Sequence, residues 1–154
     1  AQQALSRPLF LENIATIVHW PHPTWEEAEF LHLLVERSGC GLLLDVSNLY
    51  ANSRNHGGDP LEFFRKIPLH RIGYVHVGGG VEHDGIYHDT HAAPLPSEVM
   101  DLLEELCARC DPSGVLLERD DDFPGEQEFL EEMSKIERAV RRGERRRLGD
   151  TYES

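Results

Sequence analysis

The chain has 154 residues, of which 40% are hydrophobic and 28% charged, an ordinary globular composition with enough material for one domain and its core. Its formal net charge is −13, from 28 acidic and 15 basic residues, whereas proteins that follow nucleic-acid phosphates need a basic surface. Acidic side chains gathered at one site would instead favour a cation. The composition therefore argues against nucleic-acid binding.

The three cysteines are an odd number, and the sequence contains neither a signal peptide nor an apolar run of membrane length. We therefore expect a cytoplasmic protein that does not bind a membrane. Cys107 and Cys110 form a lone Cys-x-x-Cys pair. Without a second pair, helix packing is favoured over a structural zinc site.

Four short apolar runs predict buried strands, at residues 9–11, 42–46, 71–77 and 115–118. Each run ends on a side chain of a type that binds metals. For a single strand, a surface carboxylate after a core run is the commoner arrangement, but that explanation is not expected to hold for four strands of four. The residues at these ends are Glu12, Asp45, His76 and Glu118.

The segments between the runs predict helices. A capping box at residues 24–27 begins the first, Asp59 and Pro60 begin the second, and Pro96 and Gly125 mark the starts of the others. Their expected ends are Gly39, Pro68, about Cys110 and about Val140. Trp20 and Trp25 are expected to pack against the rest of the chain.

Apolar strands that alternate with helices predict an α/β fold with a parallel sheet covered on its faces. The spacing of roughly thirty to forty residues between strands is also what a TIM barrel, (β/α)8, requires. In such folds the chemistry lies at the carboxyl ends of the strands. The four strand-end side chains should therefore lie close together.

The loop after the third strand adds two further candidate ligands. Asp89 and His91 are spaced i, i+2, so in an extended segment both side chains would point the same way as each other. Carboxylate and neutral imidazole are ligands that iron, zinc and manganese accept. The sequence therefore predicts a metal site formed by the strand ends and this loop.

Six short motifs resemble, in the same order, those of the multinuclear non-heme iron-dependent oxidative enzymes, known from peptide natural-product pathways such as that of methanobactin. They are Leu11-Glu12-Asn13, Asp45-Val46-Ser47-Asn48-Leu49-Tyr50, Asn55-His56-Gly57-Gly58-Asp59-Pro60, His76-Val77-Gly78-Gly79, His88-Asp89-Thr90-His91 and Leu117-Glu118-Arg119-Asp120. The resemblance covers about residues 8–137. It implies a xylose-isomerase-like (β/α)8 barrel with two or three iron ions.

The resemblance further implies an oxidase that uses O2 to modify cysteine residues of a ribosomally made precursor peptide, together with a partner protein that recognises the peptide leader. Glu12 would bridge irons, so that its loss should empty more than one site. The implied catalytic residues are Glu12, Asp45, His76 and Glu118. The implied metal ligands are Glu12, Asp45, Asn48, His76, Asp89, His91 and Glu118.

Two departures from the family pattern stand out. Gly80 occupies the place of a second family histidine, four residues after His76, and His83 is a possible substitute. A complete barrel takes about 250 residues, and two further histidine ligands come from early strands in the family. We therefore expect residues 8–140 to be the C-terminal half of a barrel, about the last four β/α units, with residues 1–7 a linker or cut end and residues 141–154 a basic mobile tail.

A half-barrel would leave an apolar inner face open, and a homodimer or association with the missing N-terminal half would cover it. That face is expected to carry Leu9, Leu11, Leu42, Leu44, Ile72, Tyr74, Val115 and Leu117. Two other functions stay open, a metal-dependent hydrolase or isomerase on the same barrel and an inactive half-barrel fragment. His56 is a candidate for the rim of the site, and Arg119 and Asp120 are candidates for orienting Glu118.

Overall fold

The computed structural model describes residues 2–19 and 21–149. Two single 3-10 turns, Gln2–Ala4 and Leu69–Arg71, accompany the main elements. In chain order these elements are β1 (Phe10–Glu12), α1 (Glu27–Ser38), β2 (Gly41–Asp45), α2 (Val46–His56), α3 (Pro60–Lys66), β3 (Ile72–Val77), β4 (Val81–His83), β5 (Ile86–His88), α4 (Ser97–Cys107), β6 (Gly114–Leu117) and α5 (Glu126–Leu148).

Four strands form one parallel sheet in the order β1-β2-β3-β6, which confirms the predicted α/β fold. Asp45 is paired with His76, and Glu12 is paired with Leu43, two residues before Asp45. The strands therefore end at nearly the same level. Closure of this sheet into a (β/α)8 barrel stays a prediction.

The sheet has one covered and one open face. Leu42, Leu44 and Val75 belong to the buried core that the helices complete with Val35 and Leu103. The other face presents side chains that are largely exposed, with 38% exposure for Phe10, 49% for Tyr74 and 51% for Leu116. We call this second surface the open face.

The sequence-based prediction placed most of the inner-face residues on the wrong side of the sheet. Among those in strands only Tyr74 lies on the open face, since Leu11 and Ile72 are in register with the core residue Leu42, and Leu117 is in register with Val77. Side chains alternate along a strand, so a count that starts one residue off moves the whole set to the opposite face. Leu9 precedes β1.

Helix α2 was not predicted, because it follows β2 without a break. Asp45 is both the last residue of β2 and the N-cap of α2, and its carboxylate accepts hydrogen bonds from the main-chain N–H groups of Ser47 and Asn48. The helix ends at Gly57, whose φ is 77°.

The antiparallel hairpin of β4 and β5 was also not predicted. The carboxamide of Asn55, on α2, fastens it: Oδ1 accepts a hydrogen bond from Tyr87 N at 2.8 Å, and Nδ2 donates one to Tyr87 O at 2.8 Å. The hairpin lies directly before Asp89, so its attachment to α2 fixes the start of the loop that carries Asp89.

Of two predicted helix starts, that of α3 is confirmed and that of α1 is wrong. Asp59 caps α3 by accepting a hydrogen bond from Leu61 N, and Pro60 is the first residue of α3, as predicted. The capping box predicted at residues 24–27 is wrong, because α1 begins at Glu27 and its N-cap, Glu26, makes no side-chain capping bond. Trp25 is 51% exposed and does not pack as expected, and Trp20 lies outside the described residues.

Helix α5 continues to Leu148, well beyond the predicted end near Val140. Its basic end is held against α4 and the segment that follows it: Arg142 and Arg146 bind Glu104 of α4, and Arg147 binds Asp111 beyond the end of α4. Residues up to Leu148 in the predicted mobile tail are therefore helical. Residues 150–154, and residue 1 of the predicted linker, lie outside the described part of the chain.

Cys107 lies in the core, where burial raises the pKa of its thiol to about 12. Cys110 packs at the edge of the same core. None of the helices described is both long and apolar enough to cross a membrane.

Candidate metal centre

The four strand-end side chains meet at the carboxyl edge of the sheet. Glu12, Asp45, His76 and Glu118 each offer a ligand atom, and these atoms all lie within 4.8 Å of one another. His76 Nδ1 is 2.9 Å from Glu118 Oε2 and 3.4 Å from Glu12 Oε1. The convergence follows from the parallel pairing, which brings the ends of β1, β2, β3 and β6 to one edge.

Two further groups share members with the first. One joins Asp45, Asp89 and His91, and the other joins His91, Glu118 and Asp120, with ligand atoms again within 4.8 Å in each group. His91 Nε2 lies 2.8 Å from Asp89 Oδ2 and 3.5 Å from Asp45 Oδ2, and its Nδ1 lies 3.3 Å from Glu118 Oε2. The three groups therefore form one continuous cluster of candidate ligands.

The cluster contains buried polar atoms that lack hydrogen bonds. In the described part of the chain, five buried side-chain nitrogen or oxygen atoms have no partner, and four of them belong to candidate ligands: Asp45 Oδ2, His76 Nδ1, Asp89 Oδ1 and His91 Nε2. The short approach of His91 Nε2 to Asp89 thus lacks hydrogen-bond geometry. Buried polar atoms without partners are costly, and a cation between them would remove that cost. The donor set therefore fits a metal ion.

The pKa values of two candidate ligands reflect this crowding of charge. Burial raises the pKa of Asp45 to about 6, and the charge of Asp89 adds to the effect. The neighbouring Asp89 carboxylate raises the pKa of His91 to about 9, with further contributions from Asp45 and Glu118. The site thus concentrates negative charge that favours binding of a positive group.

The loop that carries Asp89 and His91 packs closely against the residues that follow β3, because residues 78–80 are glycines. A Cβ at Gly78 would lie 2.5 Å from the His91 ring, and a Cβ at Gly79 would lie 2.0 Å from Ala93 O. His91 has a φ of 49°, so the segment is not extended as predicted. Asp89 and His91 nevertheless converge, both contributing to the group that contains Asp45.

Asn48 is buried in the first turn of α2. Its Nδ2 donates a hydrogen bond to Asn13 O at 2.9 Å. Since the amide nitrogen is used in this way, Oδ1 is the atom left to act as a ligand.

Other residues singled out in the sequence lie elsewhere. The side chain of His83 is 74% exposed on β4 and contacts Asp84, so it does not replace the family histidine whose place Gly80 takes. His56 Nε2 lies 2.7 Å from Thr16 O, so His56 fastens the loop after β1. Neither histidine belongs to the three ligand groups found among the described residues.

The side chain of Arg119 makes no ion pair with the neighbouring Glu118. It forms an ion pair with Glu132 of α5, with side-chain exposures of 6% and 3%, and Glu132 Oε1 accepts a hydrogen bond from Leu95 N at 2.9 Å. The next residue, Asp120, donates from its main-chain N–H to His91 O at 2.9 Å. The exit of β6 is thereby tied both to α5 and to the ligand-bearing loop. Asp120 was predicted to orient Glu118. Its place in a ligand group was missed because it begins the acidic run at residues 120–122, and such a run is more typical of a solvated loop than of a metal site.

A parallel α/β sheet with carboxylate and imidazole side chains gathered at its carboxyl edge defines a class of candidate metal-binding proteins. Within that class, the family model described as "RiPP precursor modification enzyme MbnB/TglH/ChrH" matches residues 1–141. The chain belongs to this family, whose members modify precursors of ribosomally synthesised and post-translationally modified peptides. The family resemblance read from the sequence motifs is confirmed.

Curated relatives carry the name UPF0276 protein. One from Streptomyces avermitilis is 47% identical over 140 residues, covering 91% of this chain and 29% of the relative. Relatives from Caulobacter vibrioides and Bordetella parapertussis are each 38% identical, covering 86% and 92% of this chain and 48% and 51% of their own lengths. The chain thus spans about half, or less, of the relatives it matches.

Proposed function

We propose that this chain is part of a multinuclear iron-dependent oxidase that uses O2 to modify cysteine residues of a ribosomally made precursor peptide. The observation that carries the proposal is the continuous cluster at the carboxyl edge of the sheet, with its four buried ligand atoms without partners. Family membership supplies the class of substrate.

The proposed ligands are the seven residues identified from the sequence, with Asp120 as a further candidate. Asp45, His91 and Glu118 each belong to two of the three groups, an arrangement that supports binding of more than one ion. Mixed imidazole and carboxylate ligation suits iron, which when bound would supply the electrons and the site for O2 activation.

The polypeptide would contribute the orientation of these ligands. The N–H groups of Ser47 and Asn48 hold Asp45 Oδ1 at 2.7 and 2.9 Å and leave Oδ2 facing His91. Ser47 Oγ also donates to Gly78 O at 2.8 Å, so the ends of β2 and β3 are joined beside the cluster. These bonds fix the carboxylate before any ion or peptide arrives.

The proposed partners are a cysteine-containing precursor peptide, a protein that recognises its leader, and a polypeptide that covers the open face. The side chains of Phe10, Tyr74 and Leu116 lie on the same face as Glu12 and His76, so whatever covers this face would also border the cluster. The N-terminal half expected from the family pattern is the proposed occupant, and a second copy of the chain is the alternative.

The experiment is metal analysis of the protein produced with iron present, followed by O2 uptake with a cysteine-containing peptide. The chain is tested alone and co-expressed with the N-terminal half of a full-length relative. We expect more than one iron per complete barrel and peptide-dependent O2 uptake. Zinc alone, with no O2 uptake after iron reconstitution, would contradict the proposal.

A metal-dependent hydrolase or isomerase is the second candidate, because the same carboxylate and imidazole side chains also bind zinc and manganese. It predicts turnover without O2. The inactive-fragment alternative predicts neither metal-dependent reaction, even when the open face is covered.

A further inference from the structure

Asn13 follows the candidate ligand Glu12 and is almost completely buried, with 2% exposure. Its carboxamide makes two hydrogen bonds to one residue: Oδ1 accepts from Asp45 N at 2.8 Å, and Nδ2 donates to Asp45 O at 2.9 Å. Its main-chain oxygen accepts the bond from Asn48 Nδ2 described above. Asn13 thus contacts two candidate ligands and is covalently joined to a third.

These bonds extend the pairing of β1 and β2 beyond the last main-chain pair, between Glu12 and Leu43. The Asn13 side chain takes the place of a strand partner for Asp45 while its own main chain leaves the sheet. The separation of Glu12 and Asp45 is therefore fixed at the point where both carboxylates reach the cluster.

The bond to Asn48 has a different consequence. An amide can present either its oxygen or its NH2 group toward a site, and a cation requires the oxygen. Because Asn13 O accepts from Asn48 Nδ2, the amide of Asn48 is held with its oxygen free. No hydrogen bond to Asn48 Oδ1 from another described residue competes for that atom.

We infer that Asn13 is a positioning residue of the metal centre, which sets the placement of Glu12, Asp45 and the Asn48 oxygen. This inference rests on the proposed function. An asparagine is required because one side chain must both accept and donate at the distance of a main-chain partner. Alanine or serine at this position would leave buried N–H and C=O groups of Asp45 unpaired.

Asn52 provides a matched control on α2. Its Oδ1 accepts from Thr16 N at 2.8 Å, and its Nδ2 donates to Ile14 O at 2.9 Å, so it fastens the loop after β1 with the same pair of bonds. It belongs to no ligand group found among the described residues. Asn52 is less buried than Asn13, so its loss should cost less stability, but a general loss of stability should appear in Asn52→Ala as well as in Asn13→Ala.

The test compares Asn13→Ala, Asn13→Ser and Asn52→Ala with the unsubstituted chain. Each protein is titrated with Co²⁺, the visible spectrum of the bound ion is recorded, and the melting temperature is measured without metal. We expect all three variants to melt earlier, but only the Asn13 variants to bind Co²⁺ at least about tenfold more weakly, a loss within the range for residues that orient metal ligands. The Co²⁺ spectrum should change in those variants alone.

Co²⁺ binding and a spectrum like those of the unsubstituted chain in a folded Asn13 variant would overturn the inference. If neither Asn13 variant folds, hydrogen exchange of the unsubstituted chain decides: rapid exchange of the Asn13 NH2 protons and the Asp45 amide would overturn it, and strong protection would support it. Failure of the unsubstituted chain to bind any ion, alone or co-expressed with the N-terminal half of a relative, would instead reject the proposed function.

Discussion

Gly78 makes room for the imidazole of His91: a Cβ at Gly78 would stand 2.5 Å from Cδ2 of the His91 ring. Gly78→Ala should therefore displace His91 from Asp45 and Glu118. We expect a loss of metal affinity of tenfold or more, since the ring is a member of two ligand groups. Metal titration of the folded variant measures the effect.

Gly125→Ala is the matched control, because a Cβ there meets nothing within 4 Å and its φ is −63°. It should change stability by no more than about 1 kcal/mol, the scale of an N-cap preference, and leave metal binding unchanged. Equal metal affinity in the two alanine variants would show that the His91 ring can move without consequence.

A candidate ligand that belongs to two of the three ligand groups should, when it is replaced, release more metal than a ligand that belongs to one. Glu118 belongs to two groups and Glu12 to one, so Glu118→Gln should release more metal than Glu12→Gln. Glutamine keeps the size of the side chain and removes its charge. This order reverses the one implied by a bridging role for Glu12. Elemental analysis after dialysis distinguishes the two, and a larger loss in Glu12→Gln would favour the bridge.

The ion pair between Arg119 and Glu132 should be important for stability. Glu132→Gln would leave the buried Arg119 guanidinium without a counter-charge, and breaking one side of a buried pair typically costs about 3–5 kcal/mol. Urea unfolding measures the loss. Glu137→Gln is the control on the same helix, because the pair of Glu137 with Arg141 is largely exposed and should contribute less than about 1 kcal/mol. Similar losses in both variants would contradict the importance of burial.

The convergence of Glu12, Asp45, His76 and Glu118 could be predicted from sequence because it depends only on parallel strands ending at one edge. Asn13 could not be identified in the same way, since its role depends on hydrogen bonds to Asp45, 32 residues away. Such contacts leave no local pattern in the sequence.

Three other features of the structure differ from the sequence-based prediction, each for a physical reason. Helix α2 was missed because Asp45 ends a strand and caps a helix at once, with no turn residues between them. The faces of the sheet were exchanged because alternation in a short strand gives the period but not which residues point to the helices. The end of α5 was placed too early because its arginines bind acidic side chains of α4, contacts about 40 residues apart in sequence.

The open face combines apolar side chains with free strand edges. The ring of Phe10 lies over Gly41 and Gly73, where an added Cβ would stand 2.5 and 2.1 Å from it, and Tyr74 approaches Phe10 edge-on with ring centres 6.4 Å apart. β1 and β6 are the outer strands of the described sheet. A surface of this kind promotes association.

We therefore expect the 154-residue chain to self-associate through the open face when no other polypeptide covers it. Leu116→Glu places a charge on that face, on the outer strand β6, and should shift the protein toward monomer, because burying an unpaired carboxylate in an apolar contact is unfavourable. Leu130→Glu, at a similarly exposed position on α5, is the control and should leave the distribution unchanged. Size-exclusion chromatography with light scattering gives the mass of each species. A monomeric unsubstituted chain that holds iron tightly and oxidises a cysteine peptide would show that these residues need no partner to cover the open face.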